Sequence, residues 1–491
     1  MTNKILSVKR NFMYNIFYQL LTIITPLVVT PYVSRVLQPE GVGIYAYTYA
    51  TANYFVIFTM MGLNNYGNRI IAKVRDNKTE LSQTFWHIYI MQVMTALISI
   101  IAYIFAGIIL KENRSVYWIM ILYVISAGID ITWFFQGLEQ FKLIVLRNAI
   151  VKIISIISIF IFVKSEVDII AYTIIMASSI LVNQVLLWTF IFRFVDYSKV
   201  KFSNITIHIK PNMILFIPTI AISFYRIMDK IMLGIMSGTV EVGFYESTDK
   251  LISLPLCIIT AFGTVMLPRM ANLTGKVNKE ELRKIIQMSL ALAVLISVPI
   301  MIGMMAIMDE FVPFYYGPRY DKCIFLFYIL LPSTLFIAMA NVIRTQVLLP
   351  NELDKVFVLS CVLGAVINII INIVLIPKLG SIGAAIGTLI TEITVFTVQA
   401  LYTYQYFVCL DLIKFIAVAV LSSILMGILV YVIYIPIGNV LYRLIIKGII
   451  GIIIYFFNIY IFEKTINTTI GRTVFSVLKN NMLDRLKIKS N

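Results

Sequence analysis

Apolar residues come in runs of about twenty along nearly the whole chain, from Asn11 to Phe462, with short polar segments between them. A run of that length crosses the ~30 Å hydrocarbon core of a bilayer as a helix, so the pattern predicts membrane spans. Fourteen are expected, at 12–33, 43–66, 85–110, 116–137, 146–163, 169–194, 213–236, 243–267, 285–308, 323–346, 357–376, 382–407, 413–434 and 442–462. No stretch alternates apolar and polar positions as a membrane strand does, which argues against a barrel. The fold class expected is all-α, a polytopic membrane protein.

Between spans 1 and 2 stands Ser34-Arg35-Val-Leu-Gln-Pro39-Glu40-Gly41-Val-Gly43-Ile-Tyr45, whose proline and glycines predict a tight outer turn. At an offset of about 200 residues the chain reads Val240-Glu241-Val-Gly243-Phe-Tyr245, again opening a span. Gly43 matches Gly243, Tyr45 matches Tyr245, and farther along Gly62 and Arg69 correspond roughly to Gly263 and Arg269. Spans 1–6 and 7–12 therefore read as two copies of one six-helix unit, and such halves commonly hold a site between them. The expected organisation is an N-terminal lobe at 1–200, a C-terminal lobe at 201–410, and spans 13 and 14 with a basic tail at 411–491. Val195 to Asn212 reads as the linker between the lobes. Pro26 and Pro31 predict a kink in span 1, serving packing or a hinge. Val474 to Ile488 looks amphipathic and basic, suited to lie on an anionic inner leaflet.

Composition strengthens the membrane reading: 60% of the 491 residues are hydrophobic, 13% are charged and mean hydropathy is +0.92. That excludes an ordinary soluble domain. A net charge of +16 invites nucleic acid, but the distribution explains it otherwise. With the N-terminus inside, 28 lysines and arginines fall on the cytoplasmic side and 8 on the outer side. That bias places both termini in the cytoplasm and calls for no nucleic acid. The first run lacks a small-residue cleavage site and reads as a retained helix. Outer loops are short, the longest about Asp309 to Lys322, which leaves no room for a catalytic domain there. Cys257, Cys323, Cys361 and Cys409 have neither metal nor redox spacing and read as packing residues.

Ionisable groups inside the apolar runs are the candidate chemistry. Each costs at least ~2.5–3.5 kcal/mol at bilayer depth, so such groups usually face a bundle interior or a watery path. Arg226, Asp229 and Lys230 lie at i, i+3 and i+4 on one face of span 7, and Glu246, Asp249 and Lys250 repeat that spacing on span 8. Two readings stay open. The six charges form ion pairs that lock the helices, or the acids hold the cations toward a cavity for an anion, with Arg35 adding charge at the outer end of span 1. Arginine suits phosphate bidentately and lysine supplies a point charge. Asp130 and Glu392, each isolated in an apolar run, suit a proton or a sodium ion. Coupling to a H+ or Na+ gradient is thus open, with Asp229, Glu246 and Asp249 as further carboxylates. Asn53, Asn341, Asn368, Asn372 and Gln399 are expected to bond between helices. The two histidines, His87 and His208, have no second ligand nearby in sequence, and there is no phosphate-binding glycine loop. Catalytic residues, bound metal and cofactor are not expected, and the chain does not read as an enzyme.

The stretch from Arg35 through Pro39-Glu40-Gly41-Val-Gly43-Ile-Tyr45 to Gly62-Leu-Asn-Asn-Tyr66-Gly67-Asn-Arg69, with Asp229-Lys230-Ile-Met-Leu-Gly234 and Val242-Gly243-Phe-Tyr245, resembles the polysaccharide-transporter family. These are the Wzx-type flippases of O-antigen and capsule repeat units, within the multidrug/oligosaccharidyl-lipid/polysaccharide exporter superfamily. The resemblance covers nearly the whole chain. It implies a lipid-linked oligosaccharide on undecaprenyl pyrophosphate, moved from the inner to the outer leaflet of the bacterial cytoplasmic membrane by alternating access between two lobes. Membrane lipids, a polysaccharide polymerase and sugar transferases would be its partners. Arg35, Arg226, Lys230 and Lys250 are the positions that match the family's basic cavity lining, while Asp229, Glu246 and Asp249 depart from it by nearly cancelling that charge. The alternatives are a cation-coupled multidrug exporter on the same scaffold and, less in keeping with the short loops, a membrane-embedded polymerase.

Overall fold

Helices carry the architecture. The computed structural model describes residues 2–109, 113–197, 202–273, 279–407 and 409–472, and no strand occurs among the described residues. Ten helical segments among them are long and apolar enough to cross a membrane, falling on the expected spans 3–6 and 9–14. The other four expected spans also lie on helices, the ones that hold Arg35 and the six clustered charges. Packing divides the chain into two units, Met1–Ser247 and Thr248–Asn491.

The first unit holds α1 (Thr2–Met60), α2 (Leu63–Val74), α3 (Lys78–Ile109), α4 (Arg114–Ile119), α5 (Ile121–Gly128), α6 (Thr132–Gly137), α7 (Phe141–Phe162), α8 (Ile169–Ile191), α9 (Phe202–Met236) and the first turns of α10 (Thr239–Leu273). The outer turn expected over Ser34 to Tyr45 contracts to one non-helical residue, Gln38 (φ 56°, ψ 176°), between two helical arms of α1. Its side-chain amide donates to the Arg35 carbonyl at 2.6 Å. Pro39 follows at the start of the second arm, where a missing N–H costs nothing because first-turn donors have no helical partner. The linker is also shorter than expected, because α9 already begins at Phe202.

Span 4 is broken into α4, α5 and α6. A broken helix at membrane depth persists only where other groups take up the freed carbonyls. Here the buried Gln92 amide donates to the carbonyls of Ala127 (2.7 Å) and Asp130 (2.9 Å), and the Trp188 indole donates to that of Ile129 (2.9 Å). The Trp133 indole in turn donates to Gln92 Oε1 at 3.0 Å. Phe85, Trp133, Phe134 and Phe135, all fully buried, form the core beside this break.

In the second unit follow α11 (Lys279–Met305), α12 (Met308–Tyr315), α13 (Lys322–Leu330), α14 (Ser333–Ile343), a π-helical turn Arg344–Leu348, α15 (Asp354–Leu379), α16 (Ser381–Tyr402), α17 (Leu410–Val432) and α18 (Val440–Ile466). Gln399 of α16 donates to Ser360 of α15 at 3.0 Å, an interhelical bond of the expected kind. Asn372 also donates to Asn368 Oδ1 along α15, at 3.2 Å. Glu310 of α12 accepts from Arg443 Nε and Lys447 Nζ of α18, both at 2.7 Å. The amphipathic tail at 474–488 lies outside the described residues.

Candidate functional site

The repeat read from the sequence becomes a physical contact. Gly43 in the second arm of α1 lies against Thr239, and a Cβ there would overlap the Thr239 carbonyl; a Cβ on Gly243 would overlap the Pro39 carbonyl. The relation is reciprocal, each glycine against the carbonyl four residues before its counterpart. A left-handed residue precedes both segments, Gln38 (φ 56°) before Pro39 and Gly238 (φ 91°) before Thr239. Only glycine allows backbones to approach this closely. The far ends do not keep the correspondence. Gly62 turns the chain between α1 and α2 (φ 93°), whereas Gly263 sits within α10, where an added Cβ would overlap the Asn341 amide.

This crossing fixes what α9 and α10 present. Gly234 of α9 leaves room for the Tyr47 ring, and farther along the Tyr54 hydroxyl donates to the Ser223 carbonyl at 3.2 Å, so α9 runs beside the second arm of α1. The turn at Ser237 and Gly238 then brings the first turns of α10 back along α9 in hairpin register. Two side-chain pairs follow from that register. Tyr245 donates its hydroxyl to Asp229 Oδ2 at 2.8 Å, and Asp229 is fully buried. Lys230 Nζ lies 2.6 Å from Glu246 Oε2, with the two side chains 18% and 24% exposed. Neighbouring residues thus reach different surroundings: Asp229 turns into the protein, Lys230 keeps partial access, and Arg226 is exposed.

A tyrosine wall flanks the ion pair. Tyr45, Tyr49 and Asn53 are spaced four apart and share a face of α1. Tyr45 meets the Tyr172 ring edge-on at 4.9 Å, and Tyr49 stacks on Tyr123 at 4.9 Å with their hydroxyls 3.2 Å apart. Tyr123 donates to Asn53 Oδ1 at 2.8 Å. Tyr45, Tyr49 and Tyr172 lie within Coulombic reach of Glu246, and Tyr49 also of Lys230. Aromatic faces, hydroxyls and an amide beside a partly open ion pair suit a ligand that is both polyhydroxylated and anionic.

The remaining expected residues lie on several elements. Arg35 is exposed on the first arm of α1, while Asp249 and Lys250 are half-buried on α10 beyond the division between units. Asp130 is not isolated: its carboxylate accepts from the Thr132 backbone N–H at 2.8 Å and lies within electrostatic reach of Arg147. That guanidinium donates to Asn148 Oδ1 and to the Asn183 carbonyl. Glu392 is buried on α16, in the second unit.

Sequence reasoning missed the histidines as a pair. His87 of α3 and His208 of α9 lie with ring centroids 6.2 Å apart, and the Tyr66 hydroxyl is 2.6 Å from His208 Nδ1. Burial, and secondarily His87, hold His208 below the ordinary imidazole range. No group of three or more metal-ligating residues occurs among the described residues. Separation by about 120 positions gave no sequence signal for this contact. Tyr245 was visible as a repeat position, but nothing in the sequence marked it as the partner of Asp229.

Comparison with known proteins gives the family and related folds. The family model described as "Polysaccharide biosynthesis protein" matches residues 8–274, and the MatE model matches 215–374. A curated Escherichia coli (strain K12) protein named for O-antigen transport is 26% identical over 406 residues, covering 82% of this chain and 97% of the relative. Among solved structures, the lipid II flippase MurJ in an inward closed conformation superposes with a TM-score of 0.74 at 16% identity, over 93% of this chain and 99% of that one. An inward-facing multidrug resistance MATE family transporter of the MOP superfamily gives 0.61 at 12% identity, over 78% and 94%.

Proposed function

The chain belongs to the polysaccharide biosynthesis protein family, and from that premise we propose that it is a flippase for lipid-linked oligosaccharides. Its substrate in this reading is an oligosaccharide repeat unit on undecaprenyl pyrophosphate. The protein carries it from the inner to the outer leaflet of the bacterial cytoplasmic membrane by alternating access, for surface polysaccharide synthesis. Fourteen spans, both termini cytoplasmic, and lobes at 1–200 and 201–410 followed by 411–491 complete the reading. A polymerase and sugar transferases would work beside it.

The observation that carries this is the Lys230–Glu246 pair, two opposite charges on adjoining apolar helices, both with partial access and beside a tyrosine wall. A pair closed off from solvent would carry the full desolvation cost and give no ligand access, whereas this one stays partly open to a competing anion. Lys230, with Arg226 and Arg35, would hold the pyrophosphate and the tyrosines would take the sugars; Lys250, in the second unit, is a further basic position that matches the family's lining. Asp130, Asp229, Glu246, Asp249 and Glu392 are the carboxylates through which a H+ or Na+ gradient could drive the cycle. The resemblance of length and fold to the O-antigen relative and to MurJ supports the same assignment.

A second reading, a cation-coupled multidrug exporter, draws on the MatE match and on an apolar cavity of about 400 Å³ in the second unit, lined by Ile300, Met304 and Met426. Reconstituted vesicles separate the two. A fluorescent undecaprenyl-pyrophosphate oligosaccharide should cross the membrane protein-dependently and a lipophilic cationic dye should not; the reverse result favours the exporter.

A further inference from the structure

In the second unit, α11, α17 and α18 line an apolar slot of about 400 Å³. Along α11 it runs from Leu295 to Ile307, a rise of about 18 Å, close to the ~15 Å of hydrocarbon in one leaflet. Tyr455 closes the Leu295 end by donating its hydroxyl to that residue's carbonyl at 2.8 Å. On the α18 wall Gly448 leaves open space, since a Cβ there would meet nothing within 4 Å. Lys447 is the charged residue of the lining, and its side chain is only 6% exposed. It is held by Glu310 Oε1 at 2.7 Å, while the other oxygen of the same carboxylate takes Arg443 Nε at 2.7 Å. One carboxylate thus serves two cations, and the cluster keeps a surplus positive charge. The adjoining acid, Asp309, is exposed and accepts from the Tyr328 hydroxyl at 3.4 Å. Neither terminal nitrogen of Arg443, a side chain 25% exposed, makes a hydrogen bond among the described residues. Surplus charge beside hydrocarbon is costly until an anion meets it.

We propose that this slot binds a membrane phospholipid with an anionic head group, one acyl chain lying between α11 and α18 and the phosphate meeting Arg443 and Lys447. Length and charge together select the occupant. A soluble anion would supply the charge and leave the apolar wall unfilled. A lipid with a neutral head group would fill the wall and leave the surplus charge uncompensated, and a lipophilic cation would meet two cations at its end. An anionic phospholipid satisfies both, because its chain is as long as a leaflet is thick and its phosphate offers several oxygens to the free edge of the guanidinium. The slot serves this role whichever substrate the chain carries.

The test uses the purified, delipidated full-length chain in detergent, titrated with dioleoylphosphatidylglycerol and, separately, dioleoylphosphatidylcholine, with bound lipid counted by native mass spectrometry. The first phosphatidylglycerol should bind at least about fivefold more tightly than the first phosphatidylcholine, the ratio expected for one surplus basic charge. Arg443→Gln leaves Glu310 paired with Lys447 and should bring that ratio close to one. Gly448→Leu fills the slot without touching the cluster and should lose the tight lipid while its melting temperature without lipid holds. Equal binding of the two lipids by the parent, or a preference that survives Arg443→Gln, would overturn the head-group assignment. Tight binding that survives Gly448→Leu would overturn the slot as its location. Displacement of phosphatidylglycerol by an equal concentration of inorganic phosphate would make this a soluble-anion site. Displacement by undecaprenyl phosphate at lower concentration would give the slot to a polyprenyl chain, and either result overturns the phospholipid.

Discussion

Gly43 and Gly243 meet so closely that a Cβ on either would overlap a carbonyl of the other's helix, Thr239 in one case and Pro39 in the other. Alanine at either position must push the backbones apart, and overpacking of this kind costs about 1–3 kcal/mol. Reciprocity predicts similar losses for Gly43→Ala and Gly243→Ala. Gly238→Ala provides the contrast, because nothing lies within 4 Å of a Cβ there and only its positive φ (91°) resists substitution. That loss should be about 1 kcal/mol. Melting temperatures of the three variants in one detergent would check the order.

Gln38 occupies backbone space that is essentially glycine's own (φ 56°, ψ 176°), a conformation costing about 1–3 kcal/mol in other residues. Gln38→Gly removes that strain and also the amide bond to the Arg35 carbonyl, worth about 1 kcal/mol. The net expectation is a small gain in stability. A variant that melts well below the parent would show that the bond, rather than the strain, dominates.

How much of this was legible in the sequence depends on the range of the physics. Apolar runs and the Gly43/Gly243 and Tyr45/Tyr245 correspondence depend on local periodicity, and they located the helices and the two equivalent turns. That the turns touch each other is a long-range fact, and no spacing rule contains it. The break in span 4 was hidden because the amide that satisfies the Ala127 and Asp130 carbonyls belongs to Gln92, in the preceding span. The same holds for the site. The register Lys230–Glu246 follows from a tight hairpin, whereas the burial of Asp229 and the exposure of Arg226 depend on how α9 rotates against α1.

Membrane orientation rests on the lysine and arginine bias. A single cysteine placed at Arg319, in the expected outer loop, should react with an impermeant maleimide added to intact cells. One at Lys284, on the expected cytoplasmic side, should react only after permeabilisation. The opposite pattern would reverse the topology.

Glu310 gives a pH-dependent prediction. Burial alone would raise its pKa, but Lys447 and Arg443 outweigh that and hold the carboxyl below the usual range. A carboxylate depressed in the folded state contributes stability that is fully present above its unfolded pKa, about 4.3. That contribution is lost as pH falls through the lower folded value. The melting temperature of the parent should therefore fall below about pH 4, and Glu310→Gln should flatten that part of the profile. At neutral pH the variant also strands the buried Lys447, at a cost of about 3 kcal/mol, which Lys447→Met should largely restore.

Tyr45 and Tyr245 occupy equivalent places in the repeat but do different things. Tyr45 packs its ring against Tyr172, whereas Tyr245 donates its hydroxyl to the buried Asp229 carboxylate at 2.8 Å. Phenylalanine at 45 keeps the ring contact and should change stability by less than about 0.5 kcal/mol. Phenylalanine at 245 deprives a fully buried carboxylate of a donor, and a hydrogen bond to a charged group is worth about 1.5–3 kcal/mol. The double change Tyr245→Phe with Asp229→Asn isolates the coupling, because the asparagine carries no charge that needs the hydroxyl. If Asp229 is ionised in the folded protein, the double variant should be more stable than the sum of the single losses by at least about 1 kcal/mol. Additive losses would instead mean that the hydroxyl and the carboxyl are not energetically coupled, and that the tyrosine stabilises the fold by packing alone.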